Sequence, residues 1–278
     1  MNSKLTACIR LVRPLNALMT FASIAAAVVI CSRPSLRILP LLLAPITGML
    51  VAGGANAIND YFDIEIDRIN RPGRPLPSGA LQKRDALGVW AILSVVGISV
   101  NLFLNSSALL VALVSAGLLY IYSRFLKRTL LAGNVLVATM TGMAFIYGGV
   151  AAGEIRRALI PALFAFLSNL ARELVKDVED TEGDARNKAA TLPVAFGADV
   201  ALRFASVVIL LLICATIAAF LAGIYSATFL SVVLVVDLAL AFVAVTLWRP
   251  PTPRRLRMLS TTLKGAMAGG LLAIYLGS

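Results

Sequence analysis

The stretch Asn59-Asp60-Tyr61-Phe62-Asp63-Ile64-Glu65-Ile66-Asp67 closes a long apolar run and opens into the basic, proline-rich segment from Arg68 to Gly79. A second stretch, Lys176-Asp177-Val178-Glu179-Asp180-Thr181-Glu182-Gly183-Asp184, repeats its pattern 117 residues later. In both, three aspartates stand at i, i+3 and i+7. On a helix this spacing gathers Asp60, Asp63 and Asp67 within about 60° of arc, with Asn59 widening the face and Glu65 turned away. Asp177, Asp180 and Asp184 form the same face, with Glu173 one turn earlier and Lys176 in the place of Asn59. Gly183 is expected to loosen the helix ahead of Asp184.

The surroundings of these motifs are a membrane. The chain has 278 residues, 59% of them hydrophobic and 14% charged, and a mean hydropathy of +0.89. A soluble domain of this size carries more charge. Nine runs are long enough to cross a ~30 Å hydrocarbon core as helices: roughly 15–32, 36–60, 84–104, 107–123, 130–152, 158–178, 200–222, 226–248 and 258–276. They are continuously apolar rather than alternating, which argues against a β-barrel. The expected fold is all-α and polytopic, with about nine transmembrane helices around a central cavity. Residues 1–278 then make one domain, a four-helix duplication plus a terminal helix. The basic start and first apolar run are read as a retained span rather than a signal peptide.

A net charge of +11 raises the question of nucleic acid, but its distribution answers otherwise. With a cytoplasmic N-terminus, 21 of the 25 lysines and arginines fall on or near the inner side, and only Arg33, Arg37, Arg156 and Arg157 lie outside. This is the positive-inside pattern of a multi-pass cell-membrane protein, and it puts both acidic stretches on the cytoplasmic side. No nucleic-acid partner is expected. The absence of histidine excludes histidine bases, Ser-His-Asp triads and His-ligated metals. Cys8, Cys31 and Cys214 form neither a disulfide framework nor a zinc-binding spacing.

A single aspartate at a helix end is ordinarily a solvated boundary residue. Two matched clusters are different, because together with Glu65, Glu173, Glu179 and Glu182 they hold ten of the fourteen acids. Six converging carboxylates repel one another unless a cation is present. Oxygen-only ligands suit Mg²⁺ or Mn²⁺, and the interleaved arginines and lysines suit a polyanion such as a diphosphate. Mg²⁺ and basic groups would stabilise a diphosphate leaving group, while an apolar cavity shields the carbon left behind from water. Tyr61, Phe62, Tyr122 and Tyr147 are candidate aromatic faces for a developing cation. Arg249, Arg254, Arg255 and Arg257 read as membrane anchors, and Asp237 as a mid-span acid without an evident partner. A cation-coupled transporter with duplicated acidic half-sites is the alternative from another class.

At these residues the chain resembles the UbiA-type intramembrane prenyltransferase superfamily. The signature Asn-Asp-x-x-Asp-x-x-x-Asp is matched by Asn59, Asp60, Asp63 and Asp67, and the second aspartate motif by Asp177, Asp180 and Asp184. Tyr122, Lys127 and Arg128 match a Tyr-x-x-x-x-Lys-Arg element, and Arg13 to Asn16 match Arg-Pro-x-Asn. The resemblance implies Mg²⁺-dependent transfer of a prenyl group from a prenyl diphosphate donor, with two Mg²⁺ ions expected and Mn²⁺ as the alternative. Asn59, Asp60 and the two aspartate triads would be the metal site, and Asp63, Asp67, Asp177, Asp180 and Asp184 its catalytic core. Arg13, Asn16, Arg71, Arg74, Tyr122, Lys127, Arg128, Lys176 and Lys188 would bind substrate. Within the family, the wording around both motifs is most similar to members that add a second geranylgeranyl chain to geranylgeranylglyceryl phosphate. A lipid-like acceptor is therefore expected, with chlorophyllide or a quinone-precursor aromatic as alternatives.

Overall fold

The computed structural model describes residues 3–127, 129–186 and 189–278, and among them every regular element is helical. The chain opens with a short helix, α1 (Ser3–Val12), followed by α2 (Pro14–Cys31), α3 (Ile38–Asn70), α4 (Lys83–Ser99) and α5 (Ser106–Ile121). Then come α6 (Ala132–Ala152), α7 (Arg156–Arg186), the five-residue α8 (Leu192–Phe196), α9 (Ala198–Leu221), α10 (Ala227–Thr246) and α11 (Pro253–Gly277). Leaving aside α1 and α8, nine helices among the described residues are long and apolar enough to span a membrane. Large apolar side chains stand on their outer faces: Leu102, Leu221 and Leu238 are each more than 70% exposed. Such faces are stable against hydrocarbon rather than water.

Two helices are longer than their apolar runs. The expected spans 36–60 and 158–178 continue as α3 to Asn70 and as α7 to Arg186, so both aspartate motifs are helical throughout. The expected loosening at Gly183 does not occur. One glycine costs a helix only about 1 kcal/mol, and the exposed Glu182–Arg186 pair bridges the next turn.

The chain forms two compact units, Met1–Leu126 with Met143–Ala158, and Lys127–Gly142 with Leu159–Ser278. In the first, α6 approaches α2 closely at Gly148, where a Cβ would lie 2.6 Å from Ala27 Cβ and 3.0 Å from the Ile24 carbonyl. Lipid offers little hydrophobic gain for burying one helix on another, so close contacts of this kind hold the bundle together. Ile24, Val28, Ala44, Ala108 and Tyr147 form a buried cluster there. The Tyr147 hydroxyl donates to Asn101 Oδ1 at 2.6 Å, and Asn101 in turn donates to the Gly97 carbonyl at 3.1 Å. The turn expected at Asn105-Ser106 is present, with the Asn105 side chain accepting from the Ala108 amide at 2.8 Å.

In the second unit, α10 packs against both α9 and α11, and its buried Phe229 stacks on Tyr225 with 4.3 Å between ring centroids. Asp237 does have a partner, contrary to the reading of its sequence. Thr216 on α9 donates to its Oδ2 at 2.9 Å, a contact between residues 21 positions apart that only packing creates.

Candidate active site

No glycine or proline interrupts α3 from Ala55 to Asn70, so the first motif stays on one continuous helical face. Asp60, Asp63 and Asp67 are all buried, and Asn59 donates to Asp63 Oδ2 one turn on at 2.9 Å. The helix stops at Asn70 because Arg71 precedes a proline, which disfavours helical backbone; Arg71 is found at φ −146°, ψ 59°.

The segment that follows folds back by turns. Arg74 donates its amide to the Arg71 carbonyl at 3.0 Å, and Ser78 donates to the Arg74 carbonyl at 3.0 Å. Leu76, 4% exposed, is inserted into a cluster with Ala7, Leu11, Ala57 and Ile64. That anchor returns Arg74 to the face of the helix it just left. Its Nη1 reaches Asp60 Oδ1 at 3.2 Å and also pairs with Asp67 Oδ2. Arg68 points elsewhere, into an exposed pair with Glu65 at 2.8 Å, and Arg71 is exposed at the helix end.

From the N-terminal side, Arg13 also donates to Asp60 Oδ1. Arg13 is the break between α1 and α2, in the left-handed region at φ 54°, ψ 74°, with Pro14 opening the next helix. Two further contacts hold this corner on the motif. Asn56 Nδ2 donates to the Val12 carbonyl at 2.9 Å, and Arg10 Nη2 donates to the Gly73 carbonyl at 2.9 Å. Asn16 lies exposed on the first turn of α2.

In the second motif, Asp177 Oδ2 accepts from Asn134 Nδ2 at 2.7 Å, and Asp184 Oδ2 accepts from the Thr191 hydroxyl at 3.2 Å. Asp180 is exposed. Glu173 is buried and ties down both Arg172, at 2.7 Å, and Lys176, at 3.2 Å. Lys176 is thus held by a carboxylate one turn back on its own helix. Tyr122 opens a π-helical turn, Tyr122–Leu126, after α5, and Lys127 follows it. Arg128 and Lys188 lie outside the described residues.

Sequence reasoning missed Asn56, Asn134 and Thr191 as supports of the motifs. Asn134 left a faint signal as a lone amide near the head of an apolar helix; Thr191 left none. Of the aromatic candidates, Phe62 already carries the Arg124 guanidinium over its ring at 5.1 Å, and Tyr61 has the Lys83 ammonium 5.9 Å from its centroid. Tyr147 packs with Ala44, about 24 Å along α3 from Asp60 at 1.5 Å per residue. It is no part of the acidic face.

Among the described residues no three acidic or thiol side chains come together as a ready-made metal cluster. Two of the buried carboxylates of the first motif, Asp60 and Asp67, are instead paired with Arg13 and Arg74. The donor set itself, carboxylate and amide oxygens, fits a hard divalent cation and no soft one. Carboxylate and amide oxygens are donors for such a cation, and guanidiniums are donors to phosphate oxygens.

The profile of the UbiA prenyltransferase family matches residues 18–264. The chain belongs to this family. As a UbiA member it is a prenyltransferase, and its apolar helices make it a multi-pass membrane protein. It is 37% identical over 272 residues to the Thermococcus sibiricus protein named digeranylgeranylglyceryl phosphate synthase, covering 97% of this chain and 96% of that one. A solved structure concerned with digeranylgeranylglyceryl phosphate synthase in membranes superposes with a TM-score of 0.85 at 33% identity, over 99% of this chain and 98% of that one. A UbiA homologue from Archaeoglobus fulgidus, solved bound to GPP and Mg²⁺, shares the fold with a TM-score of 0.68 at 17% identity, over 96% of this chain and 99% of that one. The expected UbiA-like, all-α membrane architecture is the one found.

Proposed function

We propose that this UbiA member transfers a geranylgeranyl group from geranylgeranyl diphosphate to the free hydroxyl of geranylgeranylglyceryl phosphate, on the cytoplasmic side of the cell membrane. The observation that carries the reading is the buried Asp60–Asp63–Asp67 face with two guanidiniums brought onto it from separate parts of the chain. Full-length likeness to proteins named for this reaction supports the acceptor, and the homologue bound to GPP and Mg²⁺ supports the donor class and the metal.

Asn59, Asp63 and Asp67, with Asp177, Asp180 and Asp184, would hold Mg²⁺. When bound it supplies Lewis-acid stabilisation of the leaving diphosphate. The basic side chains Arg13, Arg71, Arg74, Lys127 and Lys176 bind the donor diphosphate and the acceptor phosphate. Asn59 orients Asp63, and Asn134 orients Asp177. As the bond between prenyl C1 and diphosphate oxygen breaks, its electron pair leaves with the diphosphate. A new bond forms from the acceptor hydroxyl oxygen to C1, and the hydroxyl proton passes to a motif aspartate. The phosphate already on the acceptor is untouched, so it serves recognition alone.

Purified protein given Mg²⁺, geranylgeranyl diphosphate and geranylgeranylglyceryl phosphate is expected to release diphosphate and form the doubly prenylated lipid, read by mass. Turnover with chlorophyllide or a hydroxylated aromatic, and none with the glycerol phosphate, would overturn the acceptor assignment and keep the donor.

A further inference from the structure

Asp60 is the most deeply buried carboxylate of its motif, at 2% exposure, and one oxygen of it serves two guanidiniums. Oδ1 accepts from Arg74 Nη1 at 3.2 Å and from Arg13 Nη2. The cations come from opposite directions in the chain, 47 residues before Asp60 and 14 after it. A divalent cation brought to that carboxylate would meet two like charges already seated on it. Asp63 Oδ2 accepts from the Asn59 amide, and Asp67 shares Arg74 with Asp60 through its Oδ2.

The arginines are held but not used up. Among the described residues Arg13 engages protein through Nη2 alone and Arg74 through Nη1 alone, out of five N–H donors on each guanidinium. Their side chains remain 29% and 17% exposed. Arg13 is also the sole described residue other than glycine with a positive φ. Left-handed backbone before a proline persists only where its surroundings over-determine it. Here those surroundings are the Asp60 contact and the Asn56 bond to the Val12 carbonyl.

We propose that Asp60 is a positioning residue and not a metal ligand: it aims Arg13 and Arg74 together, so that their remaining N–H groups take the phosphate oxygens of the prenyl diphosphate. The assignment rests on the diphosphate chemistry proposed above. It splits one acidic face into two tasks, with Asp63 assigned to the metal and Asp60 to the guanidiniums, while Asp67 shares Arg74 with Asp60.

The test compares Asp60→Asn with Asp63→Asn in the full-length protein in detergent. Three quantities are read: Mn²⁺ binding by electron paramagnetic resonance without substrate, inorganic diphosphate binding by calorimetry, and KM against kcat for the prenyl diphosphate. Asp60→Asn is expected to leave Mn²⁺ affinity within about twofold of the parent while weakening diphosphate binding and raising KM about tenfold, with kcat changed far less. Asp63→Asn is expected to lose Mn²⁺ affinity by at least about tenfold. Equal loss of Mn²⁺ by both variants, or an unchanged KM in Asp60→Asn, overturns the proposal. If Asp60→Asn does not fold, Arg13→Gln and Arg74→Gln carry the same test. Each should weaken diphosphate and spare Mn²⁺, and loss of Mn²⁺ in either sinks the assignment. A parent protein that binds both ions yet transfers nothing to the glycerol phosphate refutes the acceptor reading and leaves the role of Asp60 standing.

Discussion

Asn134 Nδ2 donates to Asp177 Oδ2 at 2.7 Å, an amide near the start of α6 holding the first aspartate of the second motif, 43 residues later. Asn134 is 8% exposed, so its removal takes a shielded donor from Asp177. Outer groups that orient a ligand are worth about 10–100-fold in metal affinity or activity. Asn134→Ala is expected to lower turnover by about that factor with little change in melting temperature. Asn134→Asp should do worse, because it sets a second negative charge against Asp177. Steady-state kinetics beside thermal melts in detergent check both, and an Asn134→Ala variant with parental turnover would remove Asn134 from the site.

Asp63 and Asp180 differ in surroundings but should agree in effect. Asp63 is buried and bonded to Asn59, whereas Asp180 is exposed. Asp63→Ala and Asp180→Ala are each expected to abolish prenyl transfer, with Asp180→Ala melting at the parental temperature. Full activity in either breaks the metal-site reading. Chelation of divalent metal should stop the parent enzyme, and added Mg²⁺ should restore it.

Leu76 anchors the loop that returns Arg74 to α3. Truncating a buried leucine typically costs about 2–5 kcal/mol. Leu76→Ala should therefore lower stability. It should also raise KM for the prenyl diphosphate, since Arg74 loses its aim at Asp60 and Asp67. A control truncation elsewhere in the first unit, Ile24→Ala, should lower stability without the KM change. Equal KM in the two variants would count against the loop's role.

Asp237 tests the bland explanation of a membrane acid. Its Oδ2 is bonded to Thr216, and its Oδ1 is buried without a partner. Thr216→Val strands the carboxyl group and is expected to cost about 1–3 kcal/mol, while activity per folded molecule is unchanged. Replacing both, with Thr216→Val and Asp237→Leu, should recover much of the loss, because an apolar pair leaves no polar group unsatisfied. A fall in catalysis in the double variant would instead give Asp237 a functional role.

The spans, their helical nature and the shared face of each aspartate triad were all legible from the residues alone. Helix length follows from apolar run length in lipid, and i, i+3, i+7 geometry is local to one helix. Where the sequence reading erred, the error lay at ends and partners. Apolar runs understated α3 and α7, because the hydrogen-bonded helix continues through polar residues once started. Residue type alone places Tyr147 with the motif aromatics, yet its position in α6 puts it beside Ala44 and Asn101.

What the sequence by itself determined is the membrane architecture, the two acidic faces and the family they mark. Each is carried by spacing within a single helix or by composition along one run. Only the tertiary structure decided which cation meets which carboxylate. Arg68, Arg71 and Arg74 are equivalent on paper, but the burial of Leu76 turns Arg74 alone of the three onto Asp60 and Asp67. The left-handed corner at Arg13 brings a second guanidinium to the same oxygen from the far side of the chain. These pairings depend on packing between distant segments, and no local pattern of residues encodes them.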